Sequence, residues 1–183
     1  MKILIQIANW IDALNDWMGR LISWLTLGVV VTTFTVVVMR YLFDFGRIWI
    51  QESYVWMHAI IFMAGAAWTL KEEGHVRVDI IYRKVSARAR CWIDLLGVIF
   101  LLIPSCVFIF WVSFPYISSS WSLQEASRET GGLPGVFLLK SVILLMSGLL
   151  ILQGISMALH NLAKITGHEA IHDPSEECEA EIL

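Results

Sequence analysis

Residues 21–39 read LISWLTLGVVVTTFTVVVM, nineteen positions without a charged side chain, closed at either end by Arg20 and Arg40. A helix rising ~1.5 Å per residue needs about 20 residues to cross a hydrocarbon layer of ~30 Å, so this run has the length and composition of a membrane span. Three more runs share that character further along the chain. Residues 53–70 hold only His58 among ionisable groups, between Glu52 and Lys71; residues 95–112 follow Asp94; residues 141–159 follow Lys140. An open β structure would leave backbone groups unpaired in lipid, so the runs are predicted to be helices. The expected fold is an all-α integral membrane protein with four transmembrane helices.

Composition supports the same class. Of 183 residues, 57% are hydrophobic and 16% charged, too apolar for an ordinary soluble domain. A mean hydropathy of +0.69 and nine tryptophans argue against disorder. The formal charge of -3 provides no basic excess for a phosphate backbone, so nucleic acid is not an expected partner. Cys91, Cys106 and Cys178 form no spaced pair for a metal or redox motif.

A signal peptide is the rival reading of the first run, but the run is followed by Met39-Arg40-Tyr41 and not by a small-residue cleavage site. The basic residues assign orientation. Lys2, Arg20, Lys71, Arg77, Arg83, Lys84, Arg88, Arg90 and Lys164 fall on the side of both termini, against Arg40, Arg47, Arg128 and Lys140 on the other. Both termini are therefore expected in the cytoplasm.

Residues 1–20 place Lys2, Gln6, Asn9, Asp12, Asp16 and Arg20 on one side of a helix, and Leu4, Ile7, Trp10, Ile11, Leu14, Trp17 and Met18 on the other. That pattern predicts an amphipathic helix lying in the membrane surface or packed on a partner protein. The membrane domain then runs over 21–159, and 160–183 forms an acidic cytoplasmic tail. The loop at 71–94 resembles a second surface helix, whose basic residues set topology and touch lipid head groups.

The spans lack a carrier's usual parts, namely midplane carboxylates, broken helices and a defensible internal repeat. His58 is the one titratable side chain well inside a span, and is expected to make a polar contact within the bundle or with a partner. His75 and His160 fall at the same end of their spans and are the pair a haem anchor would use. No catalytic motif accompanies Ser118, Ser119 and Ser120, so no enzyme activity and no cofactor is expected. Gly131-Gly132-Leu133-Pro134-Gly135 reads as a tight turn before the last helix. Gly65 and Ala66, with Ala64 and Ala67, mark a face open to close helix packing. Trp10, Trp17, Trp49, Trp68, Trp92, Trp111 and Trp121 stand where indoles anchor a helix at the interface.

The order Arg40-Tyr41, then Trp49 with Glu52, Gly65-Ala66, His75-Val76-Arg77-Val78-Asp79 and the Gly131-Gly132-Leu133-Pro134 loop resembles the small membrane subunit (DctQ-type) of tripartite ATP-independent periplasmic (TRAP) transporters. The resemblance runs the length of the chain. It implies a bacterial or archaeal inner-membrane system for taking up organic acids. In it a periplasmic substrate-binding protein delivers the acid to a large membrane subunit (DctM-type), which moves in an elevator fashion driven by sodium. The small subunit would then be a stationary scaffold among the membrane lipids.

On that topology Arg40, Arg47, Trp49, Glu52, Glu125, Arg128 and Glu129 lie at the outer side and are the candidates for partner contact or docking. Glu52 has a structural alternative, a bond to Arg40 or Arg47 that fixes the first hairpin. Two rival classes are a haem- or quinone-linked redox anchor and an autonomous four-helix transporter.

Overall fold

The computed structural model describes residues 2–75 and 85–168. Helix α1 spans Lys2–Leu42, α2 Ile48–Lys71, α3 Ala87–Gly97, α4 Ile103–Ser122 and α5 Val136–Ile165. A wider π turn, Val98–Leu102, joins α3 to α4 without breaking the rod. Counted as one rod from Ala87 to Ser122, these elements make four helices long and apolar enough to cross a membrane.

The π turn has a chemical cause. Pro104 has no N–H to donate to the preceding turn, and the Ile103 N–H reaches back to the Val98 carbonyl instead. The turn also seats Val98, Leu102 and Ile103 against Gly154 of α5, where an added Cβ would lie 3.1 Å from Leu102 Cδ2.

Helix α5 is the centre of the bundle, packing against α1, α2, α3, the π turn and α4. It buries 28% of its most apolar window against 6% for that of α1, so most of the apolar surface of α1 is left for lipid or another protein. The apolar core is small. Ile22 of α1, Ala64 and Ala67 of α2 and Leu149 of α5 meet, with Met18, Ile60, Ile61 and Leu150 packed around them. Small side chains on α2 let α1 approach, which is how membrane helices gain contact when lipid removes the hydrophobic incentive. Gly19 extends that approach, since a Cβ there would stand 2.5 Å from Cγ of Trp68.

The N-terminal segment departs from expectation. No break separates residues 2–20 from the first span; α1 is one helix of 41 residues, about 60 Å long at ~1.5 Å per residue. Gly19 is the one position there suited to a hinge, and its close packing on Trp68 holds it helical. Asp12, Asn15 and Asp16 face neighbouring helices rather than water, whereas Trp10 and Trp17 are 74% and 60% exposed.

Candidate functional site

The polar side chains collect at the two ends of the bundle. At the end where α1 runs into α2, Glu52 lies in the second turn of α2 and faces the connection 123–135 between α4 and α5. Its Oε2 accepts the backbone N–H of Leu133 at 2.6 Å, and its Oε1 accepts the hydroxyl of Ser127. Ser127 in turn closes its own loop, its N–H donating to the Leu133 carbonyl at 3.2 Å and its Oγ accepting the N–H of Glu129 at 3.2 Å.

The glycines of that loop are explained by the same contact. A Cβ on Gly132 would stand 2.8 Å from Glu52 Oε1, while Gly131 and Gly135 adopt φ of +82° and +103°, where L side chains are strained. The sequence Gly131-Gly132-Leu133-Pro134-Gly135 is thus a seat shaped around a carboxylate as well as a turn.

A second carboxylate pins the other end of the loop. Glu125 pairs with Lys140 and accepts the Ser120 hydroxyl at 2.6 Å. The hydrogen bond from Lys140, followed by that from Ser120, holds the Glu125 carboxyl below its ordinary value. Lys140 Nζ also lies 4.1 Å from the centre of the Tyr116 ring. Trp121 donates its indole N–H to Ser141 Oγ at 2.8 Å and meets Phe137 edge-on.

These contacts sort the candidate docking residues. Glu52 and Glu125 are both committed to holding the loop. The alternative tie from Glu52 to Arg40 or Arg47 does not form, the two carboxylate oxygens being taken by Ser127 and Leu133. Arg128 and Glu129 are exposed on the loop. Arg40 ends α1, Arg47 precedes α2 with its guanidinium 5.0 Å from the Phe45 ring centre, and Trp49 is half-exposed beside them.

At the opposite end, Asp12 of α1 is the hub of a network with α5. Its Oδ1 accepts Gln153 Nε2 at 3.0 Å and Ser156 Oγ at 2.7 Å, and its Oδ2 lies 3.1 Å from His160 Nε2. Gln153 Oε1 then accepts the Asn15 amide at 2.6 Å in a fully buried contact. The polarity follows from the carboxylate. Asp12 requires a donor, so Gln153 turns its amide nitrogen toward Asp12 and its oxygen toward Asn15, which must present its own nitrogen. Asn15 Oδ1 is left buried without a partner. Lys71 at the end of α2 reaches Asp16 at 2.6 Å, so α1 is tied to two helices within two turns.

This inner network was missed from sequence. Its signal is the set Gln153, Ser156 and His160, at successive steps of three and four residues in α5, opposite Asp12 with Asn15 and Asp16 three and four residues after it in α1. The two histidines considered as a haem pair stand on separate partners: His160 on Asp12, and His75 Nε2 3.3 Å from the Ala66 carbonyl. His58 is exposed on α2, its ring centre 6.1 Å from that of Phe62, and it forms no hydrogen bond or ion pair among the described residues. Ala64 and Ala67 form the tight face of α2, flanked by the half-buried Gly65 and Ala66. Trp68, Trp92 and Trp111 are exposed on their helices, as are Trp10 and Trp17. Of the loop 71–94 read from sequence as a second surface helix, residues 87–94 form the start of α3, while residues 76–84 and the tail from 169 onward lie outside the described residues.

Comparison with known proteins agrees with this architecture. A stretch of 85 residues is 29% identical to the C4-dicarboxylate TRAP transporter small permease protein DctQ of Vibrio cholerae, covering 46% of this chain and 35% of that relative. No solved structure matches the chain. The family model described as tripartite ATP-independent periplasmic transporters, DctQ component, matches residues 29–164. That match covers the later part of the first span, the other three spans, Glu52 and its glycine loop, and the chain belongs to the DctQ component family of these transporters.

Proposed function

We propose that this small permease subunit is the stationary scaffold of its transporter, holding position in a bacterial or archaeal inner membrane while a large DctM-type subunit moves an organic acid by a sodium-driven elevator cycle. A periplasmic binding protein supplies that acid. The observation that carries the reading is the locking of the bundle at both ends: Glu52 and Glu125 fasten the loop 123–135 to α2 and α5, and Asp12 fastens α1 to α5. Satisfied polar contacts between helices resist relative sliding, because separating them leaves donors and acceptors unpaired in an apolar medium.

In this reading both termini are cytoplasmic, and Trp10 and Trp17 on the exposed side of α1 anchor its first half at the inner interface. Arg128 and Glu129 form an exposed charged rim on a fastened loop, suited to orienting the binding protein.

Reconstitution tests both statements. Vesicles containing this chain alone should show no sodium-driven accumulation of an organic acid, and addition of the large subunit with the binding protein should restore it. Exchanging the charges of Arg128 and Glu129 should weaken coupled uptake without lowering membrane insertion. Accumulation by the isolated chain would overturn the scaffold reading, and unchanged uptake by the charge-exchanged variant would remove the rim from the docking surface.

A further inference from the structure

The turn between α1 and α2 carries a feature that the scaffold role leaves unused. Val36 and Met39 on α1, Phe45 in the turn and Ile50 on α2 line a small, mostly apolar groove, whose lining also includes Arg40, Arg47 and Gln51. Both guanidinium groups are exposed, and neither forms an ion pair among the described residues. The nearest acid in sequence, Asp44, is exposed and bridges to neither, and α2 has no acidic side chain in its first turn. Two cations therefore flank an apolar floor with one unpaired acid between them.

The surroundings identify what meets those cations. Tyr41, Leu42 and Phe43 are 81%, 75% and 71% exposed, and Trp49 follows on α2 at 50%. Aromatic side chains gathered at the end of two spans occupy the headgroup level of a bilayer, where phosphodiesters are the abundant anions. The Arg47 guanidinium carbon lies 5.0 Å from the Phe45 ring centre, a cation–π contact that uses the ring face and makes no hydrogen bond, and a guanidinium fork is suited to bidentate binding of phosphate oxygens. Gly46 adds no side chain over this groove, and a Cβ there would meet nothing within 4 Å.

We propose that Arg40 and Arg47, with the apolar floor between α1 and α2, bind the phosphodiester headgroup of an anionic glycerophospholipid. The glycerol and upper acyl carbons rest on Val36, Met39 and Ile50, and the phosphate lies between the two guanidinium groups. With both termini inside, this lipid belongs to the outer leaflet. It would pin the first hairpin at a fixed depth at the end of the bundle opposite Asp12.

The test uses the full chain co-expressed with its large subunit, stripped of lipid in mild detergent, and native mass spectrometry after adding phosphatidylglycerol. The wild type should retain one more phosphatidylglycerol than the Arg40→Gln/Arg47→Gln variant, with retention falling roughly fivefold for each arginine removed. A diacylglycerol with the same acyl chains should not be retained by the wild type, a comparison that needs no variant to fold. Inorganic phosphate should fail to displace the lipid, since it lacks the part that fills the apolar floor.

Equal phosphatidylglycerol retention by wild type and variant overturns the proposal. So does equal retention of diacylglycerol, or displacement by inorganic phosphate, which would indicate a free-anion site. Loss of the large subunit from a helical Arg40→Gln/Arg47→Gln variant with unchanged lipid retention would assign the patch to protein contact instead.

Discussion

Glu52 accepts the backbone N–H of Leu133 at 2.6 Å, a contact that joins residues 81 positions apart and brings the loop before α5 onto the second turn of α2. The bond has a charged acceptor and a backbone donor, with Ser127 on the second carboxylate oxygen. A glutamine in its place keeps the shape but presents an NH2 to one of two donors.

Glu52→Gln should therefore loosen the loop while leaving co-purification with the large subunit intact. The expected cost is about 1–3 kcal/mol, the range for a buried polar group left facing the wrong partner. Amide exchange at Leu133 should accelerate accordingly. Unchanged exchange there would show that the carboxylate does not hold the loop, and loss of the large subunit would give Glu52 a direct assembly role.

Two glycines give opposite outcomes on substitution by alanine. At Gly132 the new methyl group would meet Glu52 and Ser127, so Gly132→Ala should lower the melting temperature in detergent, at a cost of about 1–3 kcal/mol. At Gly148, inside α5, a Cβ has open space, so Gly148→Ala should be neutral or stabilise by about 0.5–1 kcal/mol through helix propensity. Equal melting temperatures for the two variants would refute the packing account of the loop.

Asp12 and Asn15 lie one turn apart on α1 but should differ when each is replaced by leucine. Asp12→Leu takes the shared acceptor from Gln153, Ser156 and His160, and a loss of about 1–3 kcal/mol is expected, chiefly because the buried Gln153 amide is left unpaired while Ser156 keeps the Ala8 carbonyl. Asn15→Leu removes one donor but also removes a buried oxygen that has no partner, so its cost should stay near or below ~1 kcal/mol. Thermal unfolding of the purified chain compares them directly.

Acid should release the loop through Glu125. Its carboxyl is held below the ordinary value of 4.5 by Lys140 and Ser120, so its contribution is complete above that value and is lost as pH falls through the lower folded value. Proteolysis within 123–135 should rise as pH drops below about 4.5 and remain low through neutrality. Glu125→Gln should flatten that acid dependence; an unchanged acid transition in the variant would assign it to another group.

Much of the architecture is legible without coordinates. Four uncharged runs, bracketed by Arg20, Arg40, Glu52, Lys71, Asp94 and Lys140, define the spans because an unpaired charge or backbone group is costly in hydrocarbon. The positions of small residues near Ala64 and Ala67 likewise mark the close approach of α1 and α2. The candidate site was only half legible: Glu52 and the glycine loop each stood out, yet nothing in the linear order tied one to the other.

Local pattern determined that this chain is a bundle of membrane helices, since solvent in the form of lipid acts on each residue according to its own chemistry. Tertiary structure decided which polar groups meet. Asp12 looked like part of a wetted helix side and became a hub on α5, and Glu52 passed over the nearby arginines for a loop 81 residues away. Those choices depend on the rotation and depth at which helices dock, which hydrophobicity leaves open and a few directional hydrogen bonds settle.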